Sequence, residues 1–213
     1  MNHIRHSALY DAKQLSVTII GAGGIGAIAA IVLAKLGIGF LTIWDGDVVS
    51  EENLATQFHL AENLGINKAF AISDEVGVYA DDVKVSCVKH KVTETSNIRD
   101  NIIISAVDSI LARQQIWKAA KGNCLWYLDA RMAAEVAHLY TVNMTQDTSW
   151  YEDFLMAQND NSVPDLACTS KATIFGGTAS ATLIAKTVRM IASNMTPKKR
   201  VFWDILSDSL IAV

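Results

Sequence analysis

Residues 16–47 read SVTIIGAGGIGAIAAIVLAKLGIGFLTIWDGD, and the order of elements in that stretch decides the fold. Ser16 to Ile20 is short, β-branched and apolar, which describes a buried strand. Gly21-Ala-Gly23-Gly24-Ile-Gly26 follows at once and opens an apolar helical run from Ile25 to Leu36, stopped by Gly37. FLTIW (40–44) is a second strand, and it ends on Asp45. Strand, glycine loop, helix, strand and acid form the context that gives G-x-G-x-x-G its meaning. Gly21 permits the tight turn, Gly23 lets a phosphate approach the backbone, and Gly26 lets the helix pack close to the sheet. The helix N-terminus offers free N–H groups and a partial positive charge. Asp45 falls where a carboxylate accepts ribose hydroxyls. A bound nucleotide is expected, and the loop alone does not choose between NAD and ATP.

The same alternation continues outward. A helix over Lys68 to Tyr79 precedes an alternating strand, VKVSCVKHKV (83–92). NIIISAV (101–107) is a continuous apolar strand and SILARQQIWKAAK (109–121) a helix. LWYLDARMA and EVAHLYTVN read as two further strands, residues 146–170 as a polar irregular loop, 172–193 as a long helix, and RVFWDIL as a last strand. Strands alternating with helices predict an α/β fold: a Rossmann-like, doubly wound, largely parallel sheet with helices on both faces and mixed C-terminal strands. At 213 residues the chain fits one domain, 1–213.

Half the residues are hydrophobic and the net charge is -4, which gives no reason to expect nucleic acid or an anionic membrane as partner. The first fifteen residues lack the apolar core of a signal peptide. The apolar run 27–36 carries Lys35 and is too short to span a bilayer. A soluble, cytoplasmic protein is expected. Cys87, Cys124 and Cys168 are scattered without a C-x-x-C pair, against both a disulfide framework and a zinc site. Cys87 and Cys124 read as small buried hydrophobes. The five histidines are scattered and read as structural or exposed.

Beyond the second strand the chain continues DGDVVSEENLATQF (45–58). This resembles the D-x-D-x-V-x-x-x-N-L-x-R-Q signature of the ThiF/MoeB/HesA family, relatives of the ubiquitin-activating enzymes, at Asp45, Asp47, Val49, Asn53, Leu54 and Gln57. GINKA is similar to the family's G-x-x-K element and supplies Lys68. IIISAVDSILAR resembles its D-n-x-x-x-R element, giving Asp108 and Arg113. DARMAAEVAHLYTV is similar to a strand pair carrying an arginine, here Arg131, and CTSKATIFGGTASATLIAK to the cysteine segment and glycine-containing helix. The resemblance runs over nearly the whole chain in order.

The resemblance implies ATP-dependent adenylation of the C-terminal carboxylate of a small ubiquitin-like or sulfur-carrier protein or a peptide, with release of pyrophosphate, by a homodimer. Lys68 would neutralise phosphate charge and Asp108 would hold Mg²⁺, a hard cation suited to carboxylate oxygen. Asp45 would hold the ribose; Asn53 and Gln57 would bond sugar or phosphate oxygens. Gly21, Gly23, Gly24, Gly26 and Asp47 complete the expected ATP-binding set. Cys168 stands where some members carry an acyl-accepting cysteine.

The pattern also departs from the family. Thr56 occupies the signature's arginine, and Ala8, after Arg5, occupies a second arginine of an N-terminal element that reaches a partner's phosphates. Arg113 or Arg131 is a candidate to compensate. The family's two C-x-x-C pairs are absent, so no zinc is expected. Two other readings stay open: a non-catalytic nucleotide-binding member, and an NAD(P)-dependent oxidoreductase using the same loop, for which no Tyr-x-x-x-Lys pair stands out.

Overall fold

The structure, a computed structural model, describes residues 8–159 and 173–213. One eight-stranded sheet runs in the order β3-β2-β1-β4-β5-β6-β7-β8. Its strands are β1 (Ser16–Ile20), β2 (Phe40–Trp44), β3 (Lys84–Val88), β4 (Ile102–Ser105), β5 (Trp126–Ala133), β6 (Val136–Asn143), β7 (Arg200–Asp204) and β8 (Ser209–Ala212). The helices are α1 (Gly26–Leu36), α2 (Lys68–Tyr79), α3 (Ile110–Ala120), α4 (Ser149–Met156) and α5 (Ile174–Ala192), with two 3₁₀ turns at Glu51–Asn53 and Ala61–Asn63.

The five strands β3 to β5 are parallel, and β6, β7 and β8 add on antiparallel. The chain order reverses between β1 and β4, and Ile20 pairs with both Trp44 and Ser105. The C-terminal ends of β2, β1 and β4 therefore lie level at the crevice where open α/β sheets bind ligands.

Alternate residues of the central strands feed two cores. Ile19, Ile102, Ile104 and Leu128 pack with α1, α2 and α5 on one face. Ile20, Ile103 and Tyr127 pack with α3 and α4 on the other, where Trp117 meets Tyr127 and Tyr151 edge-on at 5.1 and 4.9 Å. A strand buried on both faces reads as an unbroken apolar run, as III in β4 does.

The predicted doubly wound architecture is present, with three local corrections. The strand expected over 83–92 stops at Val88, because β3 pairs only with β2 and runs out of partner at Trp44. The stretch 146–170, expected to be irregular, contains α4: Tyr151 and Leu155, one turn apart, are both fully buried beneath a polar surface. RVFWDIL ends its pairing at Asp204, whose Oδ1 accepts the N–H groups of Leu206 and Ser207 and turns the chain into an unforeseen strand, β8. Among the described residues no helix is long and apolar enough to cross a membrane.

Candidate functional site

The site is built from the loop between β1 and α1 outward. Gly21 has φ 97°, a left-handed conformation that side chains other than glycine's rarely adopt, and its N–H donates to Trp44 O at 2.8 Å. A Cβ on Gly26 would stand 1.7 Å from Gly21 O, so the first turn of α1 folds directly onto the loop. This is the close helix approach expected of Gly26.

Asp45, at the end of β2, fixes the loop. Its Oδ2 accepts the N–H of Ala22 at 2.7 Å and its Oδ1 that of Asp47 at 2.8 Å. Each oxygen retains a lone pair for a ligand. Asn67 joins the next element to the same point: its Nδ2 donates to the carbonyls of Asp45 and Asp47, and its Oδ1 accepts from Ala69 N–H at 3.1 Å, capping α2.

That cap delivers Lys68, the first residue of α2, to the cavity. Lys68 is 9% exposed, and its ammonium makes no ion pair or hydrogen bond among the described residues. A buried cation without a partner is costly, and an anion in the cavity would offset that cost.

His59 is a site residue that the sequence did not single out. Its Nε2 stands 2.9 Å from Ala22 O in the glycine loop. Burial pushes the imidazole below its usual pKa, and Lys68 nearby adds to the effect, so the ring is neutral at pH 7 and Nε2–H donates to the carbonyl. No periodicity marks such a contact across 37 residues.

The loop, Asp45, Asp47, Gln57, Lys68 and Asp108 line one cavity of about 700 Å³, within the range of nucleotide-sized sites. Apolar residues, among them Trp44, Val92, Ile110 and Ile116, form much of the remaining wall. Gln57 lies alongside Gly23, and its Oε1 is buried without a hydrogen-bond partner. Asp108 is exposed at the end of the β4 strand run; Ser109, not Asp108, caps α3 by accepting Ala112 N–H at 3.3 Å. Asp47 pairs with Lys91 at 3.1 Å, both largely exposed, a contact of little net value. Asn53 stands apart: its Oδ1 accepts Ser50 N–H in a capping box, and it lines an adjoining depression that shares Gly46, Asp47 and Lys68 with the cavity.

Arg113 and Arg131 converge on Asp129, which is fully buried. Arg113 donates to Asp129 Oδ1, to Val107 O and, at 3.1 Å, to Ala130 O. Arg131 Nε donates to Asp129 Oδ2 at 2.7 Å, while its Nη2 stands 2.6 Å away but off the line of a hydrogen bond. Tyr151 OH donates to the same oxygen at 2.8 Å, and Arg131 Nη1 donates to Gln158 at 2.7 Å. Burial alone would push the Asp129 carboxyl up, but the two guanidiniums outweigh it and hold the carboxyl below the ordinary range.

Cys87 and Cys124, expected to be buried, are only half-buried. Burial pushes both thiols up, that of Cys124 to about 12, so neither is a thiolate at neutral pH. Cys168 and Arg5 lie outside the described residues.

The sequence model of the ThiF family matches residues 1–207. Among curated proteins, adenylyltransferase and sulfurtransferase uba4 of Sclerotinia sclerotiorum is 38% identical over 79 residues, 37% of this chain and 16% of that protein. Ubiquitin-like modifier-activating enzyme 5 of Drosophila persimilis is 26% identical over 132 residues, 54% of this chain and 34% of that protein. The chain thus spans about a third or less of the length of these relatives. Of solved structures, Escherichia coli MccB superposes with TM-score 0.74 at 19% identity, covering 95% of this chain and 62% of that one. The E. coli tRNA N6-threonylcarbamoyladenosine dehydratase TcdA gives 0.67 at 16% identity, covering 86% and 87%. At these identities the structural likeness speaks to the fold.

Proposed function

The chain belongs to the ThiF family, and from that premise we propose that it transfers the AMP moiety of ATP to a C-terminal carboxylate. The acceptor would be a small ubiquitin-like carrier protein or a peptide, and pyrophosphate the leaving group. One observation carries the reading: Lys68, buried and without a counter-ion among the described residues, faces the same cavity as the glycine loop and the Asp45 carboxylate. A phosphate chain supplies the anion that this lysine lacks. The names of the relatives, an adenylyltransferase and a modifier-activating enzyme, support the same chemistry.

In this reading Asp45 accepts the ribose hydroxyls, and the N–H groups of residues 23–26 face the phosphates. Lys68 draws off phosphate charge, and Gln57, with its orphaned buried oxygen, and Asn53 bond sugar or phosphate atoms. Among the described residues no cluster of three or more His, Cys, Asp or Glu could hold a metal, but Mg²⁺ commonly takes one carboxylate plus phosphates and water. The exposed Asp108 carboxylate fits that mode. Mg²⁺ bound there would neutralise charge on the phosphate oxygens.

A carboxylate oxygen of the acceptor attacks the α-phosphorus, and the bond to the bridging oxygen breaks as pyrophosphate leaves. The nucleophile is already ionised, so the protein needs no general base. Its task is positioning and electrostatic stabilisation. The proposal includes a homodimer of single-domain chains in the cytoplasm and Cys168 as an acyl acceptor.

A second reading, a nucleotide-binding member without catalysis, is favoured by Thr56 and Ala8 at the positions of two family arginines. Isothermal titration with Mg-ATP and with NADH, on wild type and Asp108→Ala, tests both. Mg-ATP binding that weakens in the variant, followed by pyrophosphate exchange with candidate carriers, is the expected result. Binding without exchange favours the second reading. NADH binding alone overturns adenylation and favours an oxidoreductase.

A further inference from the structure

A triphosphate needs positive charge around it, and Thr56 leaves this chain short of one arginine. Four cations line the cavity: Lys68, Lys91, Arg113 and Arg131. Lys91 is largely exposed and paired with Asp47, so water and salt screen its field. Arg113 and Arg131 share a single carboxylate, Asp129, with side-chain exposures of 5%, 16% and 0%. Guanidinium groups do not deprotonate in proteins. Two of them against one carboxylate leave one positive charge in surplus, held out of water.

Among the described residues the cluster's other hydrogen-bond partners, Tyr151 OH, Gln158 Oε1 and the carbonyls of Val107 and Ala130, carry no net charge, and Arg131 lies over the neutral rings of Tyr140 and Phe154. His138, also on the cavity wall, is kept neutral by burial and by Arg131. The cluster and the glycine loop share the cavity, whose wall includes Gly21, Gly23 and Gly24 as well as Arg113 and Arg131. In such a setting a fixed charge acts over several ångströms with little screening.

We infer that Arg113, Asp129 and Arg131 form a fixed positive centre that draws the phosphate chain of the nucleotide, in place of the arginine missing at Thr56. Arg131 is the more exposed of the two arginines. Arg113 is a positioning residue: it neutralises Asp129, so that the charge of Arg131 is left for the ligand. The inference rests on the nucleotide reading above.

The test titrates folded variants with Mg-ATP and with uncharged adenosine. Arg131→Gln and Arg113→Gln each remove the surplus charge, so Mg-ATP binds about tenfold more weakly, while adenosine changes less than twofold. Asp129→Asn adds a surplus charge and tightens Mg-ATP. A cluster serving only the fold predicts instead that all three variants weaken both ligands alike, and that result overturns the inference. If Asp129→Asn does not fold, the double variant Arg113→Gln/Asp129→Asn restores the charge count. Recovery of Mg-ATP affinity over Arg113→Gln supports the inference, and no recovery overturns it. If wild type binds neither ligand, the nucleotide reading falls and this inference with it. If wild type binds both and the Arg variants keep its affinities, only this inference falls.

Discussion

Lys68 and Arg113 are buried cations at the same end of one sheet, 9% and 4% exposed, and they differ in what surrounds them. Arg113 is tied to Asp129 and two carbonyls. Lys68 has no such partner among the described residues. The β4–β5 side of the crevice is thus a network closed around Asp129 with one positive charge to spare, while the β1–β2 side is a half-built one that a ligand completes. Burial alone does not separate scaffold from site. The partner of each buried charge does.

That contrast can be broken by substitution. The largest effect is expected on the closed side, where Asp129→Ala leaves two guanidiniums without their carboxylate. Removing one partner of a buried pair costs about 3–5 kcal/mol, read by urea denaturation; a loss below about 1 kcal/mol would show that the network is not what holds β5 to α3. Gly26→Ala comes next. Its methyl would meet the backbone oxygen of Gly21 at 1.7 Å, which forces α1 off the loop at a cost on the order of 1–3 kcal/mol. Mg-ATP binding should fall with it in the same titration.

Lys68→Met sharpens the comparison, because here stability and binding should part. Removing an unpartnered buried charge leaves the melting temperature unchanged or raised, while Mg-ATP affinity falls by about 10- to 100-fold, the span of a charge-assisted contact. A drop in stability like that of Asp129→Ala would mean that Lys68 has a structural partner after all.

The smallest effect is a pH dependence at His59. Its folded pKa lies below the usual 6.5 because of burial, so the unfolded chain binds the proton more readily. Stability is therefore full above about 6.5 and declines as pH falls from there toward the folded value. His59→Gln should flatten that limb in thermal melts between pH 7 and 5, and an unchanged slope would exclude the histidine as its source.

Much of this was legible beforehand because it is local. β1, β2 and α2 fall where the sequence puts them, since a β-branched run ending in glycine, or a helix of regular apolar spacing, carries its own signal. Helix α4 was not legible, because eight residues with two inward apolar side chains show too little periodicity. Neither was β8, whose strand state depends on pairing with β7. Of the site, Gly21 and Asp45 were named from motif and spacing, and Lys68 and Asp108 from the family resemblance. His59 was not, nor was the employment of Arg113 and Arg131 by Asp129.

The sequence by itself determined the doubly wound α/β order, the glycine loop and the cast of charged residues around it, because each rests on neighbours a few positions apart. Only the tertiary structure decided which of those charges are spent on one another and which face the cavity. Asp129 meets Arg113 across 16 residues and Tyr151 across 22, whereas Lys68 makes no ion pair among the described residues. Pairing between charges depends on distance and desolvation in three dimensions, and no spacing along the chain encodes either.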